Sequence, residues 1–279
     1  MKFLYEKEFV DRANAVQLYQ ARGLSTDTAV EAGYAVYAGL GVLKGLDPAR
    51  TIRRVLIVGP GIDLAPRTGM MEAGPPESYQ PWAVIDALVS LGLSQLEHLE
   101  VVGGDINPRV VDHLRASQRR APVLRLVSGI GESDTVRLVP GYRDYFAALG
   151  PALGSTRDGP RVPAGHLSKT VAVSAIAAAA LRAEPLNIVT ERLAAEPFDL
   201  VIATNILPYF ESTPLLLAVS NIAGMLAPGG VFLHNDIRPE AQEDAALAGL
   251  QPEQARQVII ATVTGARPLA DTIVLHRRR

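Results

Sequence analysis

Short apolar runs alternate with helix-length segments over most of this chain. Residues 55–58, Val-Leu-Ile-Val, are a β-branched run that stops at Gly59, the pattern of a strand buried on both faces. Residues 81–91 follow with helical spacing and a proline, Pro81, at the favoured first position. A second strand is predicted over 99–102, running into Gly103-Gly104-Asp105. Asn107-Pro108 then opens a helix to about Arg120, with Asn as cap and Pro as first residue. Further strands are predicted over 186–189, 198–203 and 231–233. The helices between them are an alanine-rich one ending near Glu184, one from Thr213-Pro214 to Pro228-Gly229-Gly230, and one over 239–250. Residues 257–263 and 272–275 close the chain as a strand pair. Strands alternating with helices in this way imply an α/β fold, a doubly wound, mostly parallel sheet with right-handed crossovers.

The two ends of this pattern differ from its centre. Tyr5, Phe9, Ala13 and Val16 recur at helical spacing and Gly23 ends the run. A second helix is predicted from Thr28, with Glu31 three positions on as a capping-box partner; it carries Tyr34 and Tyr37 and stops near Gly45 and Pro48. Residues 1–50 thus read as an N-terminal helical extension, either a lid or substrate cap or one more layer of the core, and 51–279 as the main domain. Two inserts interrupt that domain, at 65–80 and 129–165. Around its start, runs at 123–127 and 136–139 predict a hairpin around 129–133, and 150–165 reads as an exposed loop. Long loops on a rigid α/β scaffold commonly carry specificity, and Tyr34, Tyr37, Met70, Met71, Tyr79 and Trp82 are candidates to line a pocket or to fill ordinary core.

Composition narrows the chemistry. The 279 residues are 48% apolar and 20% charged, enough to bury a large core, and 27 basic against 29 acidic residues leave a net charge of -2. That balance argues against a broad nucleic-acid footprint, and the terminal Arg277-Arg278-Arg279 reads as a solvated tail. With no cysteine, disulfides, thiolate metal sites and cysteine nucleophiles are excluded together, and the five histidines lack metal-ligand spacing, so no metal is expected. The apolar stretch 171–181 is about half of what a bilayer requires, and Glu6, Glu8 and Asp11 are wrong for a secretory signal. The expectation is a soluble, cytoplasmic protein without a membrane partner; whether it is a monomer or a homodimer is open.

Ligands on open parallel sheets sit beyond the carboxyl ends of the strands. That rule singles out Gly59-Pro60-Gly61-Ile62-Asp63, where glycines let the backbone turn sharply and approach a ligand, and Asp105, whose carboxylate can accept both hydroxyls of a ribose. In isolation either is also compatible with a plain tight turn and a satisfied loop carboxylate. Their setting decides more. The strand Pro197-Phe198-Asp199-Leu200-Val201 and the turn Leu226-Ala227-Pro228-Gly229-Gly230-Val231-Phe232-Leu233 follow in order, and the chain closes on a strand pair.

Over residues 53–275 this arrangement resembles the class I S-adenosylmethionine-dependent methyltransferases. The resemblance implies a Rossmann-like, mostly parallel seven-stranded sheet with a C-terminal antiparallel pair, S-adenosyl-L-methionine as cofactor and a small-molecule methyl acceptor. It further implies cofactor contacts from Gly59, Pro60 and Gly61 to the amino-acid and ribose parts, from Asp105 and Ile106 around the ribose, from Glu191 and Arg192 near the adenine, and from Asn205 beside the methionine moiety. The chain departs from the family at two places: Ile57 stands where an acid is usual, and Asp63 replaces a glycine and offers a carboxylate to the cofactor's ammonium. A nicotinamide site fits less well, because Leu64 stands where its third glycine belongs and Asp105 lies too far along. No phosphate-loop lysine follows the glycines. The aminopropyltransferases, relatives in cofactor use, carry a catalytic aspartate where this chain has Thr204-Asn205-Ile206-Leu207-Pro208-Tyr209. A non-catalytic binder on the same fold is the alternative from another class.

Methyl transfer from a sulfonium is an in-line displacement that needs a general base only when the acceptor is protonated. The catalytic candidates are therefore few. Tyr209 follows the fourth strand and could orient an acceptor; His234, Asn235 and Asp236 end the fifth, where a histidine beside a carboxylate can take a proton near neutral pH.

Overall fold

The computed structural model describes residues 30–62, 67–68, 71–72 and 76–279, with the backbone alone described at 67–68 and 71–72. The predicted helix between Tyr5 and Gly23, Thr28, Asp63 and Met70 lie outside the described residues.

The centre of the molecule is β1 (Arg54–Val58), whose residues Val55 to Val58 are all buried. Alternation along this strand sorts the core into two. Val55 and Ile57 face one apolar layer and Leu56 and Val58 the other, which is why the run carries no polar residue. Two short strands, β2 (Arg67–Thr68) and β3 (Met71–Glu72), pair with each other in the first insert. On one side β1 pairs in parallel with β4 (Glu100–Asp105), and β4 with β9 (Leu181–Pro185). On the other it pairs in parallel with β10 (Phe198–Ala203), and β10 with β11 (Leu226–His234). Antiparallel strands complete the sheet: β13 (Leu269–Arg278) on β11, β12 (Leu250–Val263) on β13, and β6 (Val136–Leu138) on β12. The eight-stranded order is β6-β12-β13-β11-β10-β1-β4-β9. The chain leaves β1 towards β4 and returns to its other side at β10, so the topological switch lies at the carboxyl end of β1, where a crevice is expected.

Helices α1 (Val30–Leu46), α2 (Gln80–Ser90) and α3 (Pro108–Arg119) contribute to the layer on the Val55 face. Val36, Leu40 and Leu43 of α1 share that core, and a Cβ on Gly39 would lie 2.7 Å from Ile273, so α1 lies directly on β13. On the opposite face, Leu215, Ala218, Val219 and Ile222 of a helix spanning Ser212–Met225 cover Leu56, Val201 and Phe232. Glu31 has partners outside its own helix. It is buried, accepts the Tyr142 hydroxyl at 2.8 Å and the Ile130 N–H at 3.2 Å, and burial pushes its carboxyl up, the Tyr142 and backbone bonds opposing.

The second insert departs most from the sequence pattern. The predicted hairpin does not form. β5 (Val123–Val127) pairs with β8 (Ser168–Val173), which also pairs with β7 (Gly154–Asp158) inside the predicted loop, while β6 joins the edge of the main sheet. The turn between β5 and β6 is tied elsewhere: Ser128 N–H donates to Leu167 O and Glu132 N–H to Gly165 O, each at 2.9 Å. Helix α4 (Pro140–Ala148) follows β6, and Lys169 Nζ donates to the carbonyls of Phe146, Ala147 and Leu149 at its end. The alanine-rich segment is a short helix, α5 (Ala175–Ala179), capped by Ser174, and the third parallel strand starts at Leu181 rather than 186 because pairing with β4 buries Leu181 and Ala183. Two of the terminal arginines are not a solvated tail. Arg277 pairs with Glu253 and Arg278 donates to Leu226 O, both from β13.

Candidate active site at the carboxyl end of the sheet

At the end of β1 the backbone turns through two left-handed glycines, Gly59 (φ 64°) and Gly61 (φ 65°), a region L side chains rarely adopt. Gly59 N–H is held by Gly104 O at 2.7 Å, and Gly61 N–H donates to Asp105 Oδ2 at 3.3 Å. The other oxygen, Oδ1, accepts the Asn107 N–H at 2.8 Å. Burial pushes the Asp105 carboxyl up, and the Asn107 and Gly61 N–H groups oppose it. A carboxylate has about four acceptor positions, so these two bonds leave capacity for further donors. Asn107 also caps α3, accepting the Arg109 N–H at 3.0 Å, and Ile106 between them is 67% exposed, an apolar side chain left at the sheet's edge. Glycine hinge and carboxylate are thus adjacent, which local spacing alone did not establish.

The opposite wall is the end of β10. Thr204 Oγ1 accepts from Gln80 Nε2 at 2.6 Å, tying it to the first turn of α2. Asn205 adopts a left-handed φ of 58°, and Ile206 leans over the hinge, since a Cβ on Gly59 would lie 2.3 Å from its Cδ1. Asn205 N–H donates to Asn235 Oδ1 at 2.9 Å, and Asn235 Nδ2 donates to Asn205 Oδ1 at 2.8 Å and to Asp271 Oδ1 at 3.3 Å. No local signal in the sequence links these three residues; they belong to β10, β11 and β13 ends that only the sheet brings together.

The catalytic candidates are placed differently from expectation. His234 is wholly buried, its ring packed against those of both Phe232 and His276. Its Nδ1 accepts the Asp236 N–H at 3.2 Å, so in the neutral ring Nε2 carries the proton and donates to His276 Nδ1 at 3.1 Å. Burial and the neighbouring His276 hold it down at about 3, so it stays neutral near pH 7, and it packs as core. Asp236 is committed to Arg238, whose Nε lies 3.0 Å and Nη2 2.6 Å from Oδ2. Burial raises the Asp236 carboxyl, but the Arg238 bonds and charge outweigh it and hold it low. Arg238 in turn donates to the carbonyls of Leu207 and Phe210, so this pair fastens the turn that carries the half-buried Tyr209.

That pair supports a pH prediction. A carboxyl held below its unfolded value, near 3.9, stabilises the fold fully above that value, and the contribution is lost as pH falls through the lower folded value. Arg238→Ala is expected to cost about 1–3 kcal/mol at pH 7, between exposed and buried pairs. The gap from wild type should narrow below about pH 4 in urea denaturation. A gap that is independent of pH would contradict the pairing.

Glu191 accepts the Asn187 N–H at 3.0 Å and Arg192 donates to Asn221 Oδ1 at 2.9 Å, so each has a partner away from the glycine turn. The residue that continues the strand beside Asp105 is Leu186, whose N–H donates to Asp105 O at 3.0 Å. Tyr79 and Trp82 are core rather than pocket, with Tyr79 Oη 2.9 Å from Tyr145 Oη, while Tyr34 and Tyr37 are half-buried against Tyr145. Among the described residues, no group of three or more His, Asp or Glu is placed to hold a metal ion, and no helix is long and apolar enough to cross a membrane.

No family model and no curated protein matches the sequence. Solved structures do. N-methyltransferase NodS from Bradyrhizobium japonicum is 13% identical over 88% of this chain and 93% of its own, with a TM-score of 0.41. A TehB-like SAM-dependent methyltransferase from Corynebacterium glutamicum is 13% identical over 96% of each chain, with a TM-score of 0.41. Magnesium protoporphyrin IX methyltransferase from Synechocystis, solved with bound SAM, is 10% identical over 99% of this chain and 94% of its own, with a TM-score of 0.44. These three solved proteins are methyltransferases.

Proposed function

We propose that this protein is an S-adenosylmethionine-dependent methyltransferase acting on a small molecule. The observation that carries the reading is the bond from Gly61 N–H to Asp105 Oδ2 at the switch point of the sheet. The residues fit the cofactor: a carboxylate with acceptor capacity left for ribose hydroxyls, a hinge where a side chain would collide, and an exposed apolar Ile106 at the same strand end. Asp105 would hold the ribose, Gly59, Pro60 and Gly61 would admit the chain of the cofactor, and Asn205 would flank its amino-acid part. The cofactor supplies an activated methyl on a sulfonium. The protein's part is to align the acceptor, an effect that reaches roughly 7–11 kcal/mol in favourable intramolecular reactions. Tyr209, on a turn fastened by Arg238, is the side chain assigned to orienting that acceptor. Residues 1–50 and the inserts at 65–80 and 129–165 would shape its pocket.

A non-catalytic binder is the second reading, favoured by the commitment of His234 and Asp236 to internal partners. Thermal unfolding with S-adenosylmethionine, S-adenosylhomocysteine and NAD tests the site. Stabilisation by the first two alone is expected, about 2.7 kcal/mol at a hundredfold excess over Kd. A response to NAD alone, or to none, would sink the cofactor assignment. Transfer of a labelled methyl to a metabolite panel then separates enzyme from binder.

A further inference from the structure

We infer that Asn235 and Asp271 are positioning residues that force Asn205 to present a hydrogen-bond donor to the cofactor's amino-acid carboxylate. The inference rests on the cofactor reading above and adds to it the polarity of one contact. Asn235 is oriented twice over. Its Oδ1 faces the Asn205 N–H at 2.9 Å, and a backbone N–H can only donate. Its Nδ2 faces Asp271 Oδ1 at 3.3 Å, an oxygen that also accepts the Thr272 N–H at 2.7 Å. Flipping the Asn235 amide would set donor against donor and acceptor against acceptor.

With Asn235 fixed, its second amide hydrogen goes to Asn205 Oδ1 at 2.8 Å. The carbonyl end of Asn205 is therefore turned towards β11, and its Nδ2 is left as the group with no acceptor among the described residues. That nitrogen is not buried, for Asn205 is partly exposed and Nδ2 is absent from the buried polar atoms that lack partners. The left-handed φ of 58° at Asn205 is held by the same ring of bonds, and Ile206 beside it leans over Gly59, so the residue that carries the donor borders the glycine hinge. A group that can only donate there selects an acceptor atom, and the carboxylate of the cofactor's amino-acid part is the charged acceptor that the reading brings to this hinge.

Calorimetric titration of the full chain with S-adenosylhomocysteine and with 5′-methylthioadenosine, which lacks the amino-acid part, tests this. Asn205→Asp, which replaces the donor by an acceptor, should weaken S-adenosylhomocysteine about tenfold or more and leave methylthioadenosine within about twofold. Asn235→Ala and Asp271→Ala should weaken S-adenosylhomocysteine several-fold, and neither should add to the loss already present in Asn205→Ala, as expected of residues acting through one another. Unchanged S-adenosylhomocysteine affinity in Asn205→Asp, additive losses in the double variants, or a parallel fall for methylthioadenosine would each overturn the inference. Failure of the wild-type chain to bind S-adenosylhomocysteine would instead overturn the cofactor reading itself.

Discussion

Asp105→Ala is expected to reduce S-adenosylhomocysteine affinity at least tenfold. Each hydrogen bond to a charged group is worth about 1.5–3 kcal/mol, and the carboxylate has capacity for both ribose hydroxyls. The variant also strips the acceptors from Gly61 N–H and Asn107 N–H, so the hinge and the cap of α3 lose a shared anchor. Titration calorimetry reads the affinity, and a melt without ligand reads the fold. A fold weakened by about 1–3 kcal/mol with unchanged affinity would make Asp105 a structural anchor only.

The second large effect is expected at Gly59. Gly59→Ala places a Cβ 2.3 Å from Ile206 Cδ1 at a backbone φ of 64°. The left-handed conformation costs an L side chain about 1–2 kcal/mol, and overpacking typically adds 1–3. Ile206 is the residue that must move, and it is joined to Asn205, whose backbone and side chain are both held by Asn235. The displacement therefore reaches the other wall of the crevice. Chemical denaturation should show a loss of about 2–5 kcal/mol, accompanied by weaker S-adenosylhomocysteine binding than the stability loss alone produces. A variant as stable as wild type would mean that the hinge opens without strain.

These two residues stood out in the sequence because their signals are local. A β-branched run that stops at a glycine, an aspartate behind a second apolar run, and an Asn-Pro pair opening a helix each state their structure within a few residues. The strand at Val55, the hinge and the Asn107 cap accordingly lie where the pattern puts them. The hairpin at 123–139 failed because a short apolar run announces that it is a strand but not which strand it pairs with. β5 found β8, more than forty residues on, and β6 found the sheet edge. The surroundings of His234 were illegible for a related reason. A histidine at a strand end looks alike in sequence whether it meets solvent or, as here, a second imidazole on the antiparallel neighbour β13.

The sequence by itself determined the alternation that makes an α/β sheet, the turn with two left-handed glycines, and the aspartate that ends a strand, since each follows from residue preferences that act over a few positions. Tertiary structure alone decided which polar groups remain available at the sheet's carboxyl edge. Asp236 is consumed by Arg238, His234 by His276, and the carbonyl of Asn205 by Asn235, whereas Asp105 keeps acceptor capacity and Asn205 keeps its nitrogen. The physical reason is that a buried polar group must find a partner, and the partners come from strands that are distant in the chain and adjacent only once the sheet has formed.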